Sequence, residues 1–192
     1  MFSSWAAAEL AQAMTTAADA ATIATLMRTK LIAAVAVVAI AAGLGFALLT
    51  RQSAAPEVRF VTLAGQNFTT SELRGKVVLV NFWATSCVTC VEEMPKMVDA
   101  WKKFSPRGYD MVAVAMSYDH PNLVAEFTQK RGLPFKVALD ADGTVAKSFG
   151  GVRGTPTTFL LDKRGRIVKQ YLGEPDWTEF HALVERVLAE PA

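Results

Sequence analysis

The chain has few of the side chains that bind soft metal ions or crosslink small domains. Its 192 residues include only two cysteines, Cys87 and Cys90, and two histidines, His120 and His181. A tetrahedral zinc site takes four ligands, and these histidines stand far apart without a metal-ligand spacing. A disulfide across three residues closes too short a loop to be an efficient structural crosslink. Redox exchange is therefore the favoured chemistry, with metal binding and inert thiols as alternatives.

A strong excess of one charge is also missing. The formal net charge is +2, from 20 Lys and Arg against 18 Asp and Glu. Nucleic-acid binding depends on concentrated positive charge, so we expect no nucleic-acid partner.

One long apolar run is present, at residues 31–49, where 19 residues carry no charge. This length can span a bilayer. We predict an N-terminal tail at 1–30, a transmembrane anchor at 31–50, a linker at 51–56 and one domain at 57–192. A cleaved signal peptide is the alternative, but the long run and Pro56 after it favour an uncleaved anchor. Met27, before a basic start, is a candidate for the natural translation start.

The charges flanking this run predict its orientation. Arg28 and Lys30 precede it and Arg51 follows it, so the positive-inside rule favours a cytoplasmic N-terminus by a narrow margin. Disulfide exchange is also an expected task outside the cytoplasm. We therefore expect a single-pass protein of the bacterial inner membrane whose redox domain faces the periplasm.

Periodicity beyond the linker predicts an α/β domain with a mixed central sheet. Apolar runs indicate strands at 58–63, 77–83, 109–118, 135–139, 157–162 and 166–172, the last two forming a hairpin. Helices are expected from the cysteines to about Phe104, at 122–130 before Gly132, and after Asp176 as a cap. Residues 64–76 carry the turn signals of a connecting loop.

The two cysteines occupy a chemically favourable position in this pattern. They follow the buried strand at 77–83 and open the next helix. Free N–H groups and the helix dipole stabilise a thiolate at Cys87, and Cys90 lies one turn away. The pair can thus cycle between dithiol and disulfide. The two sulfurs carry both electrons, so we expect no organic cofactor.

Several separated motifs identify a family. The Phe82-Trp83-Ala84-x-x-Cys87-x-x-Cys90 segment, Pro95, the Leu139-Asp140-x-x-Gly143 stretch and the Gly154-to-Gly165 stretch resemble the thioredoxin superfamily, and within it the membrane-anchored TlpA/ResA-like thiol-disulfide oxidoreductases. The resemblance covers about residues 57–190. It implies a thioredoxin-like fold after the N-terminal transmembrane helix.

The resemblance also implies roles for individual residues. Cys87 is the attacking nucleophile and Cys90 resolves the mixed disulfide. Thr155-Pro156 matches a cis-proline loop that faces the disulfide and pairs with an extended client segment. Glu93 matches a carboxylate that influences proton transfer at the cysteines, although it could simply complement the helix dipole. Trp83 is expected in the core and the active-site wall, and we group it with Thr155 and Pro156 as client-binding.

Three departures from common family forms bear on activity. Asn81 replaces the buried Asp of classical thioredoxins, Ser86 replaces an aromatic residue beside the nucleophile, and Thr89 replaces a Pro. The Val88-Thr89 pair adds no cation near Cys87, which favours a reductant.

Partners follow from the resemblance as well. Expected clients are disulfide-containing proteins such as cytochrome c precursors or copper-site proteins, with electrons from a membrane-embedded thiol transporter. The rivals are a disulfide oxidase or isomerase, and a non-catalytic metal-binding or chaperone module.

Overall fold

The computed structural model describes residues 37–41, 43 and 53–191, and the chain divides into two compact units, residues 1–51 and 52–192. Within the first unit, residues 37–41 and 43 are helical and exposed. The predicted tail at 1–30, the candidate start Met27 and most of the predicted anchor at 31–50 lie outside the described residues. In the part of the chain that the structure describes, no helix has the length and hydrophobicity needed to cross a membrane.

The second unit is built on a five-stranded mixed sheet, which confirms the predicted α/β class. Its strand order is β5-β4-β3-β6-β7. Strands β3, β4 and β5 are parallel, whereas β6 is antiparallel to both β3 and β7. A separate two-stranded sheet joins β1 and β2. The strands are β1 (Arg59–Val61), β2 (Asn67–Thr69), β3 (Val77–Trp83), β4 (Tyr109–Ala115), β5 (Lys136–Leu139), β6 (Thr157–Leu161) and β7 (Ile167–Leu172).

Four helices accompany the strands, and their ends show ordinary capping chemistry. They are α1 (Val88–Phe104), α2 (Pro121–Arg131), α3 (Thr144–Ser148) and α4 (Trp177–Ala189). Gly132 ends α2 in the left-handed conformation at φ 56°, which glycine adopts readily. Asp176 caps α4, where its side chain accepts a hydrogen bond from the Glu179 N–H. Both caps are at the positions that the sequence predicts.

Strand β3 is buried along its whole length because both faces of the sheet are covered. Alternate residues of a strand point to opposite faces, so β3 contributes to two cores. Val77, Leu79 and Trp83 pack in a core that includes residues of α1 and α4. Val78, Val80 and Phe82 pack in a second core with residues of β1 and α3. Asn81 shares the α1 side of the sheet with Leu79 and Trp83.

Short elements correct the sequence prediction in two places. Residues 64–76, expected to form only a connecting loop, include β2 and a 3₁₀ turn at Ser71–Leu73. Helix α3 was not predicted. A helix of five residues covers little more than one turn, so it shows no helical periodicity, and the turn signals of residues 64–76 concealed a three-residue strand.

The end of the predicted linker pairs with the domain. Ser53 O accepts a hydrogen bond from Ile167 N–H at 2.8 Å, and Ala55 N–H donates to Gly165 O at 2.8 Å. Ala54 forms an antiparallel bridge with Arg166 between them. These contacts extend the sheet beside the start of β7, where an edge strand would otherwise leave its backbone groups unpaired.

Candidate active site

Three loops meet at one end of the sheet because of the strand order. Trp83, the last residue of β3, pairs with Ala115, the last of β4. Phe82 pairs with Thr157, the first residue of antiparallel β6. The cysteine loop, the loop after β4 and the loop before β6 therefore share this end.

The two cysteines form a disulfide whose sulfurs differ in environment. Cys87 and Cys90 are bonded, with their Cα atoms 5.2 Å apart. Cys87 is half-buried, whereas Cys90 has no exposed surface. Only Cys87 is therefore open to attack by an external thiolate, as expected for the nucleophile of an exchange reaction.

Helix α1 begins at the disulfide, and Cys87 is its N-cap. The Sγ of Cys87 accepts a hydrogen bond from the Cys90 N–H at 3.2 Å, in the place of the oxygen of a Ser or Asp cap. In the reduced protein this donor and the helix dipole would stabilise a thiolate at Cys87.

A buried polar chain lies on the α1 side of the sheet. Glu93, one helical turn after Cys90, is fully buried. The Nδ2 of Asn81 donates to Glu93 Oε1 at 3.3 Å and to Thr158 Oγ1 at 2.9 Å. Within the described residues, Asn81 Oδ1 and Glu93 Oε2 have no hydrogen-bond partner. Glu93 is thus a buried carboxyl group with spare proton-accepting capacity.

Burial raises the pKa of Glu93 to about 8, with a smaller contribution from the negative charge of Glu174. The hydrogen bond from Asn81 and the charge of Lys96 oppose this rise. Glu93 can consequently both hold and release a proton near neutral pH, as an acid-base group does.

The loop before β6 carries the proline motif. The Thr155-Pro156 peptide bond is cis, as the family resemblance implies. Pro156 is buried and Thr155 is half-buried. A cleft of about 430 Å³ lies along this loop. Its lining includes Thr155 and Pro156, and also Leu172 and Gly173 at the end of β7.

Trp83 lies in the core, as predicted, and not on a surface that a client can reach. It is fully buried and packs against Phe127, with 5.1 Å between the ring centroids. A side chain without exposed surface cannot contact a client in this state, which corrects its inclusion among the client-binding residues. Trp83 instead supports the cysteine loop from the core, because it is the final residue of β3 and the loop begins directly after it.

The loop after β4 contributes residues that the sequence did not indicate. Asp119 accepts hydrogen bonds from the backbone N–H and the hydroxyl of Thr85, each at 2.6 Å. The Tyr118 hydroxyl lies 3.2 Å from the Thr155 hydroxyl. This loop therefore links the cysteine loop to the cis-proline loop. Its position after a buried parallel strand, where functional groups often gather, is the signal that could have drawn attention to it.

Comparison with known proteins agrees with this geometry. The Redoxin family profile matches residues 50–188. The thiol-disulfide oxidoreductase ResA of Bacillus thuringiensis strain Al Hakam is 32% identical over 134 residues, which are 69% of this chain and 76% of the relative. ResA of Bacillus subtilis is 34% identical over 125 residues, 65% of this chain and 69% of the relative.

A solved structure shows the same fold. The crystal structure of a thiol:disulfide interchange protein of the thioredoxin family from Chlorobium tepidum is 30% identical, with a TM-score of 0.66. The match covers 73% of this chain and 99% of that one.

The thioredoxin-like fold, the disulfide at the helix N-terminus and these relatives define a thiol-disulfide oxidoreductase of the ResA type. The chain belongs to the Redoxin family.

Proposed function

We propose that this oxidoreductase is tethered to the bacterial inner membrane by residues 31–50 and reduces disulfides in periplasmic client proteins. The observation that carries the proposal is the asymmetry of the redox pair, with Cys87 accessible and Cys90 fully buried. An accessible nucleophile with a shielded resolving thiol suits exchange with large disulfide-containing substrates. Cytochrome c precursors and copper-site proteins are the proposed clients, because the family resemblance points to them.

Exposed apolar groups near the redox pair support a protein client. The described residues of the second unit include five large hydrophobic side chains that are exposed. Four of them lie on elements that meet at the redox end of the sheet, namely Val88, Tyr118, Leu123 and Leu172. Apolar groups gathered on one side of a domain are typical of a protein-binding surface.

The reaction moves two electrons from the enzyme to the client. The Cys87 thiolate attacks a client disulfide, forms a mixed disulfide and releases one client thiolate. Cys90 then loses its proton and attacks Cys87 Sγ, which releases the second client thiolate and leaves the Cys87–Cys90 disulfide. We assign the acceptance of the Cys90 proton to Glu93, one turn further along α1. Thr155 and Pro156 orient the extended client backbone.

Reduction of the resulting disulfide requires a thiol donor. A membrane-embedded thiol transporter is the proposed source, because it can carry electrons to a space without a soluble reducing pool. Among the described residues, the only hydrogen-bond donor to Cys87 Sγ is the Cys90 N–H. The absence of a cation in that contact favours a reductant over a strong oxidant, whose reduced form needs extra stabilisation.

The test uses the full chain expressed in a bacterial inner membrane. Cys90→Ser should accumulate mixed disulfides with periplasmic proteins, and Cys87→Ser should accumulate none. The unsubstituted pair should be mainly reduced in growing cells, and a membrane-impermeant thiol reagent should label it in spheroplasts. A pair that is mainly oxidised in cells would indicate an oxidase, and labelling only after membrane disruption would contradict the proposed orientation.

A further inference from the structure

A second cleft lies between the cysteine loop and α2. It has a volume of about 410 Å³ and is lined by Thr85, Ser86, Leu123, Glu126, Phe127 and Lys130. We call it the α2 cleft, because four of these residues belong to α2. Ser86 directly precedes Cys87, so their Cα atoms are about 3.8 Å apart. The cleft therefore adjoins the nucleophile.

The α2 cleft has an apolar lining without net charge. Leu123 is 52% exposed there, and Phe127 is half-buried. Glu126 and Lys130 form an ion pair across one helical turn, so their charges compensate each other. Their aliphatic stems add further apolar surface. A charged ligand group would lose hydration in this cleft without gaining an unpaired partner.

The wall of the cleft nearest the cysteines is fixed rather than loose. Thr85 is held by two hydrogen bonds to the Asp119 carboxylate. Phe127, on the other wall, packs against the buried ring of Trp83. A cleft that is already formed requires little ordering when a ligand side chain enters it.

We propose that the α2 cleft binds an apolar side chain that flanks the reactive cysteine of a client. The inference rests on the proposed function in that it assumes a polypeptide substrate. During exchange the client cysteine is bonded to Cys87 Sγ, and each further residue of an extended chain reaches about 3.3–3.6 Å. A neighbouring client residue is thus brought to Ser86 and the mouth of the cleft. The serine matters because a large aromatic side chain at position 86 would occupy the same space.

The test compares disulfide-linked peptides that differ only in the residue beside cysteine, which is Leu, Ser or Lys. Their reduction by the full-length protein in detergent, with an excess of a small dithiol to regenerate the Cys87–Cys90 dithiol, is measured as kcat/KM after subtraction of the rate without protein. We expect the Leu peptide to react about 10-fold faster than the Ser peptide, the lower end of the discrimination that apolar pockets achieve. The Lys peptide should react no faster than the Ser peptide.

Variants assign this preference to the cleft. Leu123→Ser should reduce the Leu-to-Ser ratio to about 1, and Ser86→Trp should do the same by filling the space. Val61→Ser removes an exposed apolar side chain from β1 that does not line the cleft, and it should keep the ratio. Circular dichroism and a thermal melt verify that each variant is folded.

Specific results would overturn the inference. One is a Leu-to-Ser peptide ratio near 1 in the unsubstituted protein, and another is a ratio that Leu123→Ser leaves unchanged. The third is a dimer in sedimentation that Leu123→Ser dissociates, because a second copy of the chain would then occupy the cleft. The peptide assay depends neither on the membrane anchor nor on the direction of electron flow in cells. A mainly oxidised pair in cells would therefore refute the proposed reductase and leave the peptide preference intact.

Discussion

The carboxylate of Asp119 binds Thr85 at both of its polar groups, the backbone N–H and the side-chain hydroxyl, each at 2.6 Å. Asp119 has only 9% of its surface exposed. These two bonds connect loops that are 34 residues apart in the sequence and fix the segment two residues before Cys87. Asp119 is thus a positioning residue for the nucleophile.

Asp119→Ala should lower both stability and exchange activity. Loss of two hydrogen bonds to a charged acceptor should cost about 1–3 kcal/mol in the free energy of unfolding, because the partly buried Thr85 N–H loses its partner. We expect kcat/KM for a peptide disulfide to fall about 10-fold, as catalytic geometry becomes less exact. Denaturant unfolding and steady-state kinetics measure the two effects.

Thr85→Val is the second substitution for a double-mutant cycle with Asp119→Ala, since it removes the Thr85 hydroxyl and keeps the backbone N–H. In a double-mutant cycle, the two substitutions should couple, because both act on one interaction. Additive effects on kcat/KM, or full activity in Asp119→Ala, would contradict the positioning role. Asp119→Asn should rescue part of the activity, because its amide oxygen can still accept one bond.

The raised pKa of Glu93 predicts that the stability of the folded protein depends on pH. Its pKa is about 8 in the folded protein, against an ordinary value of 4.5. Between these values the folded state holds a proton that the unfolded state has lost, so stability falls as pH rises from about 4.5 to 8. Glu93→Gln should remove this dependence of stability on pH. At pH 8 its free energy of unfolding should exceed that of the unsubstituted protein by on the order of a few kcal/mol. Thermal melts across this range measure it.

Glu92→Gln is the control for that measurement, because Glu92 is the exposed neighbour on the same helix. It should leave the slope in place. Parallel pH curves for Glu93→Gln and the unsubstituted protein would show that the Glu93 pKa is not raised.

The same carboxyl group should affect the resolving step. Glu93→Gln removes the proton acceptor assigned to Cys90, so release of client from a preformed mixed disulfide should slow about 100-fold above pH 8, where Glu93 is ionised, within the range for general acid-base catalysis. Attack by Cys87 should be affected less. Rapid-mixing kinetics with a fluorescent peptide can separate the steps, and a uniform slowing at every pH would point to a merely structural role.

Sequence patterns predicted the central fold because its elements are long and continuously apolar. Strand β3 matches the predicted 77–83, and α1 ends at Phe104 as expected. A strand covered on both faces cannot tolerate polar interruptions, which makes its limits visible. Asn81 is the exception within β3, and it belongs to the buried polar chain with Glu93.

The candidate site was only partly predictable. The cysteines and the cis Thr155-Pro156 bond belong to local motifs, and the structure has them as the resemblance implies. The contact between Asp119 and Thr85 joins segments 34 residues apart, and that between Asn81 and Thr158 joins segments 77 residues apart. No local sequence pattern can predict such contacts. The core position of Trp83 was predicted, but its grouping with the client-binding residues overlooked the contact with Phe127, which comes from another element.

Asp110 provides a last prediction, on stability alone, since it lies at the start of β4, away from the cysteines. Lys136 and Lys76 contact its Oδ2 at 2.6 and 3.2 Å. Burial opposes ionisation, but the hydrogen bonds from Lys136, the Met111 N–H and Lys76 hold the pKa of Asp110 below its ordinary 3.8. The ionised form therefore contributes stability above about pH 3.8, which is lost as pH falls through the lower folded pKa.

Asp110→Asn should reduce the free energy of unfolding by about 1–2 kcal/mol at pH 7. The expected loss is this small because both lysines are partly exposed, so solvent screens their attraction to Asp110. The difference from the unsubstituted protein should shrink below pH 3.8, and kcat/KM for peptide disulfides should not change. Glu185→Gln, which breaks exposed pairs with Arg107 and Lys103, should cost less. An equal loss in both variants, measured by denaturant unfolding, would show that the burial of Asp110 adds nothing to its ion pairs.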